Sequence, residues 1–475
     1  MKNKVSNTSS VSIKHPLIRR FIGDKRFYRR VLTISVPIMI QSLITNFVSL
    51  LDNIMVGQIG TEEMSGVAIV NQLIFVYYLF LFGGLSGVGI FTAQYYGKRD
   101  DEGIRQTFRF KLWMSGGITL IISAVLFFFG KNLIQLYLND DTSVGNIEEA
   151  LQHGLTYLSI VLIAMPAILL VQSYAGTMRD CGRTKLPMVA GIIAVAVNLV
   201  LDYLLIFGKL GLPALGVAGA AIATVIARYV EAGIVVIWAH THTKVLTYMK
   251  GVYRTMRVPW KYTREFLIKG IPLLLNEGLW SIGMSTLLQC YSVRGMEVVA
   301  AFNIANVIGN SLNVIYIAMG DAVAIIVGQL LGAGKMEEAK DTDTKILTMS
   351  LGLGIFVAGL MAIASTFFPS LYNTTPLVKE TASRIILINA CFTPQMALLH
   401  TSYFTIRAGG RTVITSFFDS GFLMACSIPT AFLLSRLTAL PALTIFVIVC
   451  LTETIKLVIG LTMVHKNIWM RQITV

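Results

Sequence analysis

Long apolar runs separated by short polar connections follow one another from residue 31 to residue 464. Twelve are legible, at 31–56, 66–96, 108–129, 151–178, 186–207, 213–239, 266–293, 299–331, 346–368, 381–406, 412–435 and 440–464. Each reaches the roughly 20 residues that a helix needs to cross a hydrocarbon core, about twice what a barrel strand needs. Lipid offers the backbone no hydrogen bonds, so runs of this length predict helices. The expected fold is an all-α polytopic membrane protein with twelve transmembrane helices.

The pattern repeats. Residues 32–107 lie on 267–342 without a gap at an offset of 235, which puts Pro37 on Pro272, Asn71 on Asn306, Gln94 on Gln329, Gly97 on Gly332 and Thr107 on Thr342. A second register, offset 228, puts Pro166 on Pro394, Arg179 on Arg407, and Gly182-Arg183-Thr184 on Gly410-Arg411-Thr412. Six spans per copy is an even number, so the two copies enter the membrane in the same orientation as parallel repeats. The expected organisation is an N-terminal tail 1–30 (residues 1–12 disordered), a first lobe 31–239, a basic linker 240–265, a second lobe 266–465 and a C-terminal tail 466–475.

Composition fits this picture, with 55% hydrophobic and only 13% charged residues, against about 25% charged in soluble domains. A net charge of +14 raises nucleic-acid binding as an alternative, but its distribution excludes that. Lys and Arg gather before span 1 (Lys14, Arg19, Arg20, Lys25, Arg26, Arg29, Arg30), after spans 2 and 4, and in the linker (Lys244, Lys250, Arg254, Arg257, Lys261, Arg264). The opposite connections hold isolated cations such as Lys131 and Lys209. This positive-inside pattern predicts a multi-pass protein of the cell membrane with both termini cytoplasmic, the lipid bilayer being its partner rather than a nucleic acid. No cleaved signal peptide is expected. The five cysteines are scattered with no CxxC pair, which argues against a disulfide or zinc framework.

Nucleotide and hydrolase motifs are missing. Gly328-Gln-Leu-Leu-Gly-Ala-Gly-Lys335 has the wrong spacing for a phosphate loop and Met336 where Ser or Thr belongs. The informative residues are polar groups inside spans, where an ionisable side chain marks a functional site by default. Asp52 near the outer end of span 1, Asp202 near the outer end of span 5, Asn198 one turn deeper and Thr224 in span 6 fall at one depth. Two carboxylates, an amide and a hydroxyl form an all-oxygen set suited to a small hard cation such as Na+.

Pro37…Gln41…Asp52-Asn-Ile-Met-Val-Gly57, Ala93-Gln94-Tyr-Tyr-Gly97, Arg179-Asp-Cys-Gly182, Asn198-Leu-Val-Leu-Asp202 and Gly216-Val-Ala-Gly-Ala-Ala-Ile-Ala-Thr224 together resemble the multidrug and toxic compound extrusion (MATE) family over about 30–465. The resemblance implies two six-helix lobes around a V-shaped cavity, and export of organic cations in exchange for Na+ or H+ without a cofactor. It assigns the coupling cation to Asp52, Asn198, Asp202 and Thr224.

The repeat examines that assignment. At the same registers Asp52 becomes Leu287, Asn198 becomes Cys426 and Asp202 becomes Thr430, and only Thr224 keeps its type as Thr452. The second lobe carries its own acids, Glu277, Asp321 and Asp419, which with Gln41 and Asn276 are candidates for the substrate cavity. One branch of the family uses an acid of span 10 that this chain lacks. Arg228 with Glu231 and Lys456 with Glu453 read as structural pairs at i,i+3. His400 reads as a packing histidine. The aromatic residues of span 2 (Phe75, Tyr77, Tyr78, Phe80, Phe82) face either a cavity or lipid. The reading is a monomeric secondary antiporter for amphipathic, mainly cationic compounds. The alternatives are a lipid-linked precursor flippase of related architecture, whose cavity would need cations, and a membrane-embedded enzyme or receptor.

Overall fold

Every expected span becomes a helix in the computed structural model, which describes residues 20–139 and 146–474. The expected disordered tail 1–12, the cations Lys14 and Arg19, and the outer loop 140–145 with Asp140 lie outside the described residues. The helices are α1 (Lys25–Gly57), α2 (Thr61–Lys98), α3 (Asp101–Asn139), α4 (Ile147–Asp180), α5 (Lys185–Phe207) and α6 (Val217–Thr241). The second copy supplies α7 (Trp260–Ser292), α8 (Met296–Gly332), α9 (Met336–Phe367), α10 (Pro376–Ala408), α11 (Thr412–Leu437) and α12 (Ala442–His465). Eleven of them are apolar enough over their length to cross a membrane. The twelfth, α7, carries Lys261, Arg264, Glu265, Lys269 and Glu277 in its sequence.

Two helices depart from regular winding. In α4 the turn Leu162–Ala164 tightens to a 3-10 helix just before Pro166, which then occupies the first turn of the next segment. Proline lacks the N–H that a continuous ladder would need there. In α11, Phe417–Gly421 and Leu423–Ser427 wind as π-helix, a widening often found at functional positions. The equivalent α5 is a regular α-helix throughout.

Small residues decide where the two lobes touch. α2 packs along α7 and α8, and α1 along α8. A Cβ at Gly87 would lie 2.5 Å from the Gly270 backbone, so only glycine permits that approach of α2 to α7. Val31, Ile34 and Ile38 of α1 join a core built from α8 and α10 of the other lobe, including Met319, Val323 and Ile406. Most of these junctions lie toward the basic ends of the helices. One contact sits further along α1, where Asn46 Nδ2 donates to the Asn310 carbonyl at 3.5 Å.

The linker is docked rather than loose. Tyr248, Met249 and Val252 are buried, and α3 holds their strand of chain through Arg105 Nε to the Tyr248 carbonyl (3.2 Å), Arg109 Nε to the Val252 carbonyl (2.8 Å) and Trp113 Nε1 to the Met256 carbonyl (2.9 Å). The C-terminal segment is equally fixed: Trp469 is fully buried and Ile473 packs against the first lobe's core.

Candidate functional site

The buried face of α5 runs Pro187, Ala190, Gly191, Ala194, Asn198, Asp202, Ile206. Steps of three and four place them in one stripe. Its small residues let α1 approach, with the Gln41 amide lying against Gly191. Asn198 and Asp202 continue the same stripe, so they face α1 rather than lipid. Asp202 is 2% exposed and Asn198 9%. Asp52 of α1 lies beside Asp202, close enough for the two carboxyl groups to act on one another.

This meeting is under-satisfied. Asp52 Oδ1, Asp202 Oδ1 and Asn198 Nδ2 are all buried without a hydrogen-bond partner among the described residues. Thr224 is half-buried and lies near the Tyr157 hydroxyl, which donates to Asn71 Oδ1 at 3.3 Å. Arg228 lies close enough to act on Asp52, but its Nη1 is committed to Glu231 Oε2 at 2.9 Å. Two carboxylates held together out of water repel one another and want a cation or a proton between them. The remaining oxygens suit a hard cation.

Tyr157 and Asn71 escaped the sequence reading. Asn71 did leave a trace, being a span-embedded amide retained as Asn306 in the second copy. A single tyrosine within an apolar run leaves none.

The second lobe is built differently. Asp419 is not an unmatched acid: Lys456 Nζ sits 2.9 Å from its Oδ1, and Asn276 Nδ2 donates to its Oδ2 at 3.1 Å. Lys456 also pairs with Glu453 at 3.4 Å, and Ser427 Oγ donates to Glu453 at 3.0 Å. Asn276 is 1% exposed, and its Oδ1 accepts the Ser420 backbone N–H at 3.2 Å within the π-wound stretch. Asn276 and Asp419 therefore hold one another and α11. Their counterparts are Gln41 and Gly191, which pack together in the first lobe.

Glu277 and Asp321 are half-buried within electrostatic range of Arg407. Arg407 is 4% exposed, its Nη1 unpartnered among the described residues, and its guanidinium lies 4.9 Å from the Phe404 ring and 5.4 Å from the Phe82 ring of the first lobe. Of the α2 aromatics, Phe82 thus reaches the lobe junction, whereas Tyr77 is buried in its own lobe, hydrogen-bonded to Thr119 at 2.7 Å. His400 packs edge-on to Tyr316 and at a tilt against Phe404.

Paired six-helix lobes, a buried acid pair in one of them and a junction lined by aromatic and charged groups define a membrane transporter. Comparisons with known proteins specify the kind. The MatE family model matches residues 37–204 and 272–433, one stretch in each lobe. The chain belongs to the MATE family, whose members are transporters rather than enzymes and are free of cofactors. "Probable multidrug resistance protein YoeA" of Bacillus subtilis is 22% identical over 439 residues, covering 91% of this chain and 92% of that protein. "Probable multidrug resistance protein NorM" of Thermotoga maritima is 23% identical over 86% of each. A crystal structure of MATE in the bent conformation superposes with a TM-score of 0.83 at 19% identity, over 95% of this chain and 96% of that one. An outward-facing multidrug resistance MATE transporter also gives 0.83, at 18% identity over 95% and 98%. The family and the many apolar helices make this a multi-pass membrane protein of the multidrug efflux class, acting on small molecules.

Proposed function

We propose that the chain is a secondary antiporter that exports amphipathic, mainly cationic compounds in exchange for Na+ or H+ by alternating access, with the coupling ion bound at Asp52 and Asp202. The observation that carries this reading is the pair of adjoining carboxylates with unpartnered buried oxygens. Such a pair gains from an entering cation and loses it again when the site hydrates or a competing charge approaches. Asn198, Thr224 and the Tyr157 hydroxyl supply neutral oxygens for Na+, whereas a proton needs only one carboxylate. The first lobe therefore favours Na+ modestly.

The lobes 31–239 and 266–465 are the moving bodies, and the basic end is the cytoplasmic one, in the cell membrane. The preference for cationic cargo rests on the first-lobe acids and on Glu277 and Asp321, since Asp419 is neutralised by Lys456. Arg407 near Glu277 and Asp321 limits that preference.

Purified protein in vesicles, given a Na+ or an H+ gradient separately, tests the reading with a permanently cationic dye and an anionic one. Export of the cation driven by at least one gradient is expected. Equal movement of both dyes without any gradient, or movement of a lipid-linked pyrophosphate instead, would overturn it. For orientation, cysteine labels at 57–64 should react from outside intact cells while labels at 242–262 stay protected.

A further inference from the structure

We infer that the basic end of the transporter is closed by a symmetric exchange between two glutamines, Gln94 and Gln329, and that the C-terminal segment 468–474 locks one half of it. Gln94 Nε2 reaches from α2 across the lobe junction to the Ala408 carbonyl at 3.1 Å. Gln329 Nε2 reaches from α8 in the opposite direction to the Asp180 carbonyl at 3.2 Å. Gln94 and Gln329 are equivalent at offset 235, and Asp180 and Ala408 at offset 228. The same bond is thus made twice around the pseudo-twofold axis, each lobe capping the other.

The acceptors explain why an amide is needed. Asp180 and Ala408 end α4 and α10, and a helix leaves its last carbonyls without intrahelical partners. Two residues on, Gly182 and Gly410 both turn the chain at φ +74°, a left-handed conformation that glycine adopts freely. Among the described residues neither carbonyl has another donor. The close approach that brings the amides into range depends on Gly97 and Gly332, also equivalent: a Cβ on either would run into the backbone of the opposite glutamine.

The exchange is symmetric but its reinforcement is not. On the Gln94 side, Gln94 Oε1 accepts the Ile473 N–H at 2.8 Å, Gln94 Nε2 also donates to the Arg471 carbonyl at 3.2 Å, and Gln472 Nε2 donates to the Gly332 carbonyl at 3.2 Å. Arg411 Nε holds the Ile468 carbonyl at 3.2 Å, and Trp469 is buried beneath. Among the described residues, the Gln329 side has only Arg30 Nη2 at 3.5 Å. The lobes cannot part at this end until the strap leaves Gln94.

This inference rests on the alternating-access reading, and the test separates the two. Spin labels at Lys185→Cys and Glu337→Cys, one per lobe at the basic end, report the separation by double electron–electron resonance after Cys391 and Cys426 are replaced. The wild type, sampled across Na+ concentration and pH, should show a short and a long distance. Gln94→Met and Gln329→Met should each raise the long-distance share about threefold to tenfold, and deletion of 468–475 should raise it in the Gln94 form of the protein more than in Gln94→Met. Gln329 is half-exposed, so its variant serves if the buried Gln94→Met does not fold. A wild type that interconverts while both glutamine variants match it would overturn the gate alone. A wild type fixed at one distance under every condition would overturn the alternating-access reading and the gate with it.

Discussion

The two lobes share one chain path and resolve the same electrostatic problem in opposite ways. In the first, Asp52 and Asp202 face each other with unpartnered oxygens, and the nearby Arg228 is held by Glu231. In the second, Leu287 and Thr430 stand at those positions, and the equivalent of Arg228, Lys456, turns to Asp419 and Glu453. The acid pair of the first lobe keeps an open demand for positive charge, whereas Asp419 and Glu453 of the second have met theirs through Lys456. A buried pair that is complete holds helices in place, whereas an incomplete one invites a guest. The difference shows why an acid in a membrane span is informative only together with its partners.

The largest effect should come from removing the incomplete pair. Asp202→Asn is expected to reduce gradient-driven export in vesicles to background while the protein still folds and inserts, and Asp52→Asn to do the same. Cys426→Ser and Thr430→Ser, at the equivalent positions of the second lobe, should leave rates near wild type. Loss of transport in the second-lobe variants would break the comparison.

Breaking the completed pair should instead cost stability. Lys456→Met leaves Asp419 buried beside Asn276 with no cation, and removing one partner of a buried pair costs about 3–5 kcal/mol. Thermal unfolding in detergent should show a marked drop that Asp419→Asn restores in part in the double variant, Glu453 still lacking its cation. Arg228→Met should destabilise less, because the Arg228 side chain is 33% exposed against 8% for Lys456. Equal losses would remove the distinction between the lobes.

A smaller change sharpens the first-lobe site. Tyr157→Phe deletes the hydroxyl that lies near Thr224 and donates to Asn71, and should weaken the apparent affinity for the coupling ion by about tenfold or less, as expected for one hydrogen bond. The dye's own apparent affinity, measured at saturating ion, should be unchanged. Smallest of all, Glu148→Gln at the exposed start of α4 should alter neither transport nor, beyond about 0.5 kcal/mol, stability.

Much of this was legible before any coordinates. Helix number and the twofold repeat follow from the length and register of the apolar runs, because lipid forces each run to satisfy its own backbone. Asp52, Asn198 and Asp202 stood out because carboxylates and amides are costly at that depth. What pattern alone missed depends on which helix faces which. Nothing local says that Lys456 reaches Asp419 on another helix, that α11 unwinds to π-helix around Asn276, or that Tyr157 lies near Thr224 and donates to Asn71. Gln94 and Gln329 were visible as a repeated pair, but their bonds to Asp180 and Ala408 needed the lobes brought together.

The claim that the acid pair of the first lobe binds the coupling ion, and the Asp419–Lys456 pair of the second does not, is tested most directly by ion-binding stoichiometry on the purified protein. Radiolabelled Na+ binding and proton uptake should be measured together across pH. The account predicts one Na+ or proton bound per chain, lost in the double variant Asp52→Asn, Asp202→Asn and retained in Asp419→Asn, Lys456→Met. Undiminished binding in the first double variant, or its loss in the second, would contradict it.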